Sequence, residues 1–351
     1  STINPDGAVI IEGHIIGQLD GFNFLPDQNA ILSNSDISTK IIEKTAASAL
    51  REEILSRIEL FLSSEKGAFE LHCTDFQPPL IFWRKTRIAK VVKGETLLTP
   101  QVRIDNFPLL SAEQRDSMNK KLMRWLNDHL KSTLSPIYID LKSLSKGPVR
   151  GIMFQLREHL GSMPRVIAKN EIDSASRSDR QELRKIGVQI QRESVLIRVL
   201  LKPDAIMIRG MLFDLYNNLR GTPLPNPGRM SMRMEGDIPS SFYETIGYRP
   251  LDNIAVRVDI VERVAASAWE ISKKGPFCAP IDMMNLIGCG FNDMTQILKL
   301  LGYRQVKTED QILFQRRKPN AKGAGFNPKK TKVKANPNSP FAELARLKDS
   351  R

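Results

Sequence analysis

Apolar positions near the N-terminus first follow the spacing of strands and then that of a helix. Two short apolar runs, 8–11 and 14–19, predict strands on either side of Glu12 and Gly13. A long amphipathic helix is then predicted over about 36–63, because its apolar side chains recur at steps of three or four residues. Those side chains are Ile37, Ile41, Leu50, Ile54, Ile58 and Phe61.

The same order of elements recurs further along the chain. Apolar runs at 80–83 and 88–92 predict strands. A second long helix is predicted to begin after Ser111, and Gln114 is placed to complete a capping box with it. The apolar stripe of this helix consists of Met118, Leu122, Trp125, Leu126 and Leu130.

The spacing of glycine and proline residues indicates an internal repeat in this region. Gly94 follows Gly21 by 73 residues, and Pro100 follows Pro26 by 74. A fixed offset of this kind is typical of a duplicated unit. We therefore expect 1–140 to hold two copies of a hairpin followed by a long helix, although chance similarity explains the offsets equally well.

Residues 141–220 predict a helical domain that contains one hairpin. Proline favours the first turn of a helix and glycine its end, so helices are predicted to begin at Pro148 and Pro203, and one to stop at Gly161. A run rich in proline and glycine then predicts a linker over 221–250. The other elements predicted here are a helix over about 178–186 and strands at 188–190 and 195–200.

Residues 251–316 predict the element order of a winged helix. Three helices, with a tight turn between the last two, are followed by a hairpin. If this prediction is right, Leu286, Ile297, Leu301 and Phe314 share one core.

The last predicted helix of this domain carries little positive charge. It begins at a cap residue, Asn292 or Asp293, ends at Gly302, and has Lys299 as its one cation. A protein-binding or structural role is therefore as well supported as the reading of a nucleic-acid groove. Together, all these elements predict an α+β fold that is mainly helical.

Positive charge is concentrated at the C-terminal end of the chain. The sequence has 52 Lys and Arg against 39 Asp and Glu, which gives a net charge of +13. Residues 316–351 contribute 11 positive and two negative side chains, so the remainder is near +4. Because proline and glycine interrupt this segment and few of its residues are apolar, 317–351 is predicted to be a disordered basic tail. Such a tail binds a polyanion, with nucleic acid the first expectation, or only solubilises the chain.

No motif for catalysis or for cofactor binding is present in the sequence. The Gly-x-x-x-x-Gly-Lys-Ser/Thr phosphate loop is missing, and the four histidines lack zinc spacing, so we predict neither a catalytic residue nor a metal ligand. Three cysteines agree with a reducing compartment. No apolar run approaches the ~18 residues of a membrane span. We expect a cytoplasmic protein that does not bind a membrane.

Eight short segments along the chain share their order with a known family. One of them is Ile297-Leu298-Lys299-Leu300-Leu301-Gly302-Tyr303. The full set is 16–22, 151–156, 183–188, 200–203, 255–259, 284–289, 297–303 and 339–342. In this order the chain resembles the C-terminal region of large alphaproteobacterial helicases of the DEAD/DEAH superfamily. Their motor is similar to that of the mitochondrial RNA helicase that works with the RNA-degrading exonuclease.

The resemblance implies that this chain is the accessory C-terminal region of such a helicase. The motor, with its ATP and Mg, would then lie upstream and be absent from this chain. The start at Ser1, directly before strand-like sequence, agrees with a processed product or a piece of a longer polypeptide. One loop departs from the family, which usually has an aromatic residue, a glycine and a histidine before a proline. Here 189–194 differ, and Arg198 stands near the proline position, so contacts of that loop do not transfer.

Under this interpretation the chain binds single-stranded RNA or DNA for the upstream helicase core. The alternative is a protein-interaction scaffold that docks a partner through the winged helix and a short C-terminal helix. The candidate nucleic-acid-binding residues are Arg184, Lys185, Lys202, Arg316, Arg317, Lys318, Lys322, Lys329, Lys330, Lys332 and Lys334. The candidate partner-binding residues are Phe341, Leu344 and Leu347.

Overall fold

Helix predominates over strand among the residues that the structure describes, at about 47% against 23%. The prediction of a mixed and mainly helical fold is confirmed at this level. The computed structural model describes residues 2–4, 7–11, 14–27, 39–73, 78–219, 222–307 and 311–317.

Two four-stranded antiparallel sheets, each followed by a long helix, occupy the first part of the chain. In both sheets the strands are hydrogen-bonded in sequence order. The first unit consists of β1 (Thr2–Ile3), β2 (Ala8–Ile11), β3 (His14–Asp20), β4 (Asn23–Pro26) and α1 (Thr39–Ser63). The second consists of β5 (Phe69–His72), β6 (Leu80–Trp83), β7 (Thr86–Val92), β8 (Gln101–Ile104) and α2 (Ala112–Thr133).

The central hairpins of the two units have the same register. Val9 pairs with Gly17 in the β2–β3 hairpin, and Ile81 pairs with Ala89 in the β6–β7 hairpin. All four paired positions of the second hairpin follow their counterparts by 72 residues, and both ladders shift register at the same step. Gly94 and Pro100 miss this offset because they lie in the β7–β8 connection, which is longer than the β3–β4 turn.

An aromatic core joins the two units. Phe22 from the first unit stacks on Trp83 of the second, with ring centroids 5.7 Å apart, and also contacts Phe61 and Phe107. The predicted capping box begins α2, because the Gln114 amide N donates to the Ser111 hydroxyl over 3.2 Å and the Ser111 amide N donates back to the Gln114 side chain. The predicted stripe of α2 is buried throughout.

The middle of the chain adds helices and a small sheet to this same core. The apolar cluster runs without a break from Val9 to Leu212, so it crosses the predicted boundary at 140. The sheet has the strand order β10-β11-β9. The elements are α3 (Pro148–Glu158), β9 (Ser162–Pro164), α4 (Lys169–Ser174), α5 (Arg177–Ile186), β10 (Val188–Ile190), β11 (Ser194–Ile197) and α6 (Pro203–Asn217).

The strand predicted at 195–200 is shorter than expected. It ends at Ile197, whose amide N donates to the Gly161 carbonyl over 2.9 Å, and Arg198–Leu201 form a 3-10 helix. The residues before Gly161 belong to the end of helix α3, so they form no strand with which β11 could pair beyond Ile197.

The segment predicted as a linker, 221–250, is folded in its described residues. Phe242 and Tyr243 within it are fully buried. A three-stranded sheet in the order β12-β14-β13 joins this segment to the helices that follow. The elements are β12 (Ser231–Arg233), α7 (Ser240–Thr245), β13 (Tyr248–Leu251), β14 (Ile254–Arg257), α8 (Val258–Ser272), α9 (Ile281–Ile287), α10 (Phe291–Leu300), β15 (Tyr303–Lys307) and β16 (Ile312–Arg316).

A second apolar core lies among the last three helices and the β15–β16 hairpin. Ile297 and Phe314 are fully buried in it, and Leu286 and Leu301 are half-buried against it. Helix α10 begins two or three residues earlier than predicted, because Gly290 and not Asn292 or Asp293 occupies the cap position. No helix in the described ranges is both long and apolar enough to cross a membrane.

Candidate nucleic-acid interface

The turn between β10 and β11 is held by a buried carboxylate from another part of the fold. Glu262, on α8, accepts hydrogen bonds from the amide N of Arg192 at 3.1 Å and of Glu193 at 2.9 Å. It also accepts one from the hydroxyl of Ser194 at 2.7 Å. A buried charge is tolerated when several donors satisfy it. The turn is therefore fixed while the Arg192 side chain remains exposed.

Two guanidinium groups stack on one tryptophan beside this turn. The Arg192 guanidinium lies 4.0 Å from the ring centroid of Trp269, and that of Arg316 lies 3.8 Å from it. Both distances are well inside the range of a favourable cation–π contact. The ring is half-buried on α8, and both arginines are exposed. Trp269 thus brings together side chains from the middle and the end of the chain.

A groove with a cavity volume of about 410 Å³ lies between α5 and β10, next to the turn. Its lining includes Arg184 from the last turn of α5, together with Gln189 and Gln191 from β10 and its end. Gly187, at φ 96°, ends α5 and reverses the chain, which places the helix end beside the strand. The Arg165 guanidinium donates to the Gln191 carbonyl over 2.6 Å.

Groove and stack are linked through the backbone, because Gln191 lines the first and the next residue, Arg192, forms part of the second. We refer to Arg165, Arg184, Arg192 and Arg316 as the arginine strip. None of the four forms a salt bridge within the part of the chain that the structure describes. The acidic side chain next to Arg192 is already engaged, since Glu193 contacts the Arg249 guanidinium at 3.2 Å. The strip therefore carries unneutralised charge suited to an anionic ligand.

The predicted site residues are only partly brought together. Arg184 and Arg316 belong to the strip, with Lys185 exposed next to the first and Arg317 exposed next to the second. Lys202 is exposed elsewhere, at the N-cap of α6, where its described hydrogen bonds are those of the helix start. The residues outside the described ranges are Lys318, Lys322, Lys329, Lys330, Lys332, Lys334, Phe341, Leu344 and Leu347.

Arg165, Arg192 and Trp269 were not predicted. Arg192 lies in the loop that departs from the helicase family, and its partner Trp269 is 77 positions away. Neither composition nor spacing joins two such residues, and only the fold shows that they meet. One hint of this site is present in the sequence: Trp269 stands in a helix whose other apolar residues are alanine, valine and isoleucine.

Arg209 and two half-buried thiols have structural roles rather than a place in this interface. Arg209 is fully buried, and burial lowers its pKa to about 9. Its guanidinium donates to the Leu200 carbonyl at 2.9 Å and to the Ser162 hydroxyl at 2.6 Å, which ties α6 to the small sheet. Burial raises the pKa of the Cys73 thiol to about 12 and that of Cys289 to about 11, so both stay protonated near neutral pH.

No group of three or more potential metal ligands occurs among the residues that the structure describes. No protein-family model, curated protein or solved structure matches this chain.

Proposed function

We propose that this chain is the accessory C-terminal region of an ATP-dependent helicase and binds single-stranded nucleic acid for an upstream motor. The observation that carries the proposal is the stack of Arg192 and Arg316 on Trp269, next to a groove that Arg184 lines. The order of the eight family-like segments supports the helicase context. ATP and Mg then belong to the motor, and the chain alone does not hydrolyse ATP.

The arginine strip has the chemistry that a single strand requires. Guanidinium groups bind phosphate through paired N–H donors and also stack on bases, which a lysine does not do equally well. Gln189 and Gln191 add neutral donors and acceptors along the groove. Binding of this kind depends on the backbone and on stacking, so it tolerates many sequences.

In this proposal the C-terminal unit is a winged helix that delivers the basic tail to the strip. Between α8 and α9, Phe277 pairs with Phe314 of β16, as the first strand of a winged helix pairs with its last. Arg316 ends β16 beside Trp269, and the basic tail follows it closely in the sequence. The tail would then add phosphate contacts to the same bound strand, in the cytoplasm.

Exposed apolar side chains favour the alternative of a protein-interaction scaffold. Ile281, at the start of α9, is 70% exposed, and Phe291, at the start of α10, is 39% exposed. In the scaffold hypothesis these residues and the tail residues Phe341, Leu344 and Leu347 dock a protein partner.

The test is binding of a fluorescein-labelled 20-nucleotide oligo(U) to the full chain, measured by anisotropy at several KCl concentrations. Each phosphate neutralised on a single strand contributes about 0.7 to the slope of log affinity against log salt. Arg184→Ala/Arg192→Ala should therefore lower the slope by about 1.4.

The matched control is Lys66→Ala/Lys120→Ala, which removes two exposed cations remote from the strip. Its slope should stay closer to that of the unchanged protein. Equal slopes for the two double variants would overturn the proposed site, and no binding by the unchanged chain would favour the scaffold.

A further inference from the structure

The solvent face of the second sheet, β5–β8, has a composition that its folding does not explain. Its inner face is buried, with Ile81, Val91 and Val102 in the apolar core. Cross-strand pairing defines the outer face, in one row of His72, Leu80, Lys90 and Arg103 and a second row of Glu70, Phe82 and Arg87.

Two cations face each other directly on this surface. Lys90 on β7 pairs with Arg103 on β8. Like charges at opposed positions destabilise a sheet. Neither residue has a salt bridge within the described ranges. The acidic residues nearby are already paired, Glu70 with His72 at 2.9 Å and Asp105 with Arg87 at 2.7 Å.

Aromatic rings lie beside these cations. Phe82 is half-buried in the second row, and the His72 ring stacks on it with centroids 4.4 Å apart and an interplanar angle of 29°. A stacked pair of rings on a sheet surface, with cations on the neighbouring strands, provides a stacking platform for a base and charges for its phosphates.

The turn between β6 and β7 adds charge at the cost of backbone strain. Arg84 and Lys85 both have positive φ, at 47° and 72°. This conformation favours asparagine and glycine, and other residues adopt it at an energetic cost. The residues 72 positions earlier are Glu12 and Gly13. Strained residues of this kind commonly mark functional positions.

The first unit shows that the hairpin does not need these side chains. By the 72-residue offset, the counterparts of Phe82, Arg87 and Lys90 are Ile10, Ile15 and Gln18. The same register and the same shift therefore form with neither a charge nor an aromatic ring at these three positions. At these positions the basic and aromatic character belongs to the second unit alone.

We propose that the outer face of β5–β8 is a second contact surface for single-stranded nucleic acid. Lys90, Arg103 and Lys85 bind its phosphates, and Phe82 stacks on a base. This inference rests on the proposed function but uses residues separate from the arginine strip. An acidic protein partner would use the cations and leave Phe82 without a role, and for that reason we favour nucleic acid.

The test uses the full chain, a 30-nucleotide oligo(U) and, as an anion without bases, poly-glutamate. Lys90→Gln/Arg103→Gln should lower the salt slope for oligo(U) by about 1.4, at 0.7 for each phosphate. Phe82→Leu should weaken oligo(U) binding roughly 5- to 150-fold, the range expected for loss of one stacked base, and should leave poly-glutamate binding unchanged. Lys66→Gln/Lys120→Gln is the charge-matched control.

The Tm of each variant shows whether a loss of binding is due to a loss of folding. Because Lys90 and Arg103 repel each other, Lys90→Gln should keep or raise the Tm of the free protein while weakening binding. Loss of binding through Arg184→Ala/Arg192→Ala with no effect of the sheet variants would overturn this inference and leave the proposed function intact. The reverse pattern would support the sheet and overturn the strip. If the cation variants weaken poly-glutamate and oligo(U) equally and Phe82→Leu weakens neither, an acidic protein replaces nucleic acid as the occupant.

Discussion

At the scale of single residues, one carboxylate fixes the position of Arg192 in the arginine strip. Glu262 accepts three hydrogen bonds from a turn that lies about 70 positions earlier in the chain. A hydrogen bond to a charged group contributes more than a neutral one, and an unsatisfied buried donor is costly. The hydrogen bonds of the turn to Glu262, and not contacts of the Arg192 side chain, therefore place Arg192 next to Trp269.

We expect Glu262→Gln to destabilise the protein by about 1–3 kcal/mol, because the new amide group turns a donor toward donors. Urea unfolding measures this loss. The variant should also lower the salt slope of oligo(U) binding, since Arg192 is no longer held in place. Glu270→Gln, an exposed change on the same helix, is the control. Equal midpoints for the two variants would show that the Glu262 contacts do not stabilise the fold.

A histidine at the edge of the core should make stability depend on pH. His129 stacks on Trp125 at 5.5 Å, and burial lowers its pKa, although Asp204 opposes the shift. The unfolded chain therefore binds this proton more readily than the folded protein. The contribution of His129 is complete above its ordinary pKa of 6.5 and is lost as the pH falls through the folded pKa.

The free energy of unfolding, followed by urea titration from pH 7.5 to 5.5, should fall less steeply for His129→Phe than for the unchanged protein. Phenylalanine keeps the stack on Trp125 but cannot titrate. Parallel curves for the two proteins would show that His129 is not the group responsible.

At the scale of elements, the sequence predicted correctly the features that depend on neighbouring residues. The capping box at Ser111, the stripe of α2 and the end of α5 at Gly187 follow from residues within one or two turns. The folded segment after residue 221 could not be foreseen, because its proline and glycine content is that of a linker while its order comes from distant partners. Arg233 pairs with Ile254, and Phe242 is buried against residues from several elements.

Two leucines of helix α10 test which of its faces is packed in the core. Leu298 is fully buried, whereas Leu300 is 43% exposed. Leu298→Ala should cost about 2–5 kcal/mol, the usual range for a large-to-small change in a core. Leu300→Ala on the same helix should stay within about 0.5 kcal/mol. Similar losses for both variants in urea unfolding would contradict the orientation of α10.

At the scale of the whole molecule, charge is divided unevenly between body and tail. The sequence predicted the tail as the main cationic feature, and it could not show that the body has a strip and a sheet face of its own. Those surfaces gather arginines and lysines from strands and helices that are well separated in sequence. The acidic residues close to them, Glu193, Glu70 and Asp105, are already paired with other side chains.

Removal of 318–351 deletes nine basic and two acidic residues and takes the net charge from +13 to +6. If about half of the nine contact phosphate, the salt slope for oligo(U) should fall by about 3. A full-length chain with the nine changed to glutamine is the control for length, and it should behave like the truncated one. An unchanged slope in both would assign the tail to solubility or to docking.

Glu262 and Trp269 lie seven residues apart on α8, so they occupy the same side of that helix two turns apart. The middle of the chain supplies Arg184 and Arg192, and the end supplies the ring and Arg316. A nascent polypeptide in which α8 is still inside the ribosome therefore has no assembled strip. Under the proposed function, the stack of Arg192 and Arg316 on Trp269 forms only after β16 has been synthesised, later than the outer face of β5–β8, which lies earlier in the chain.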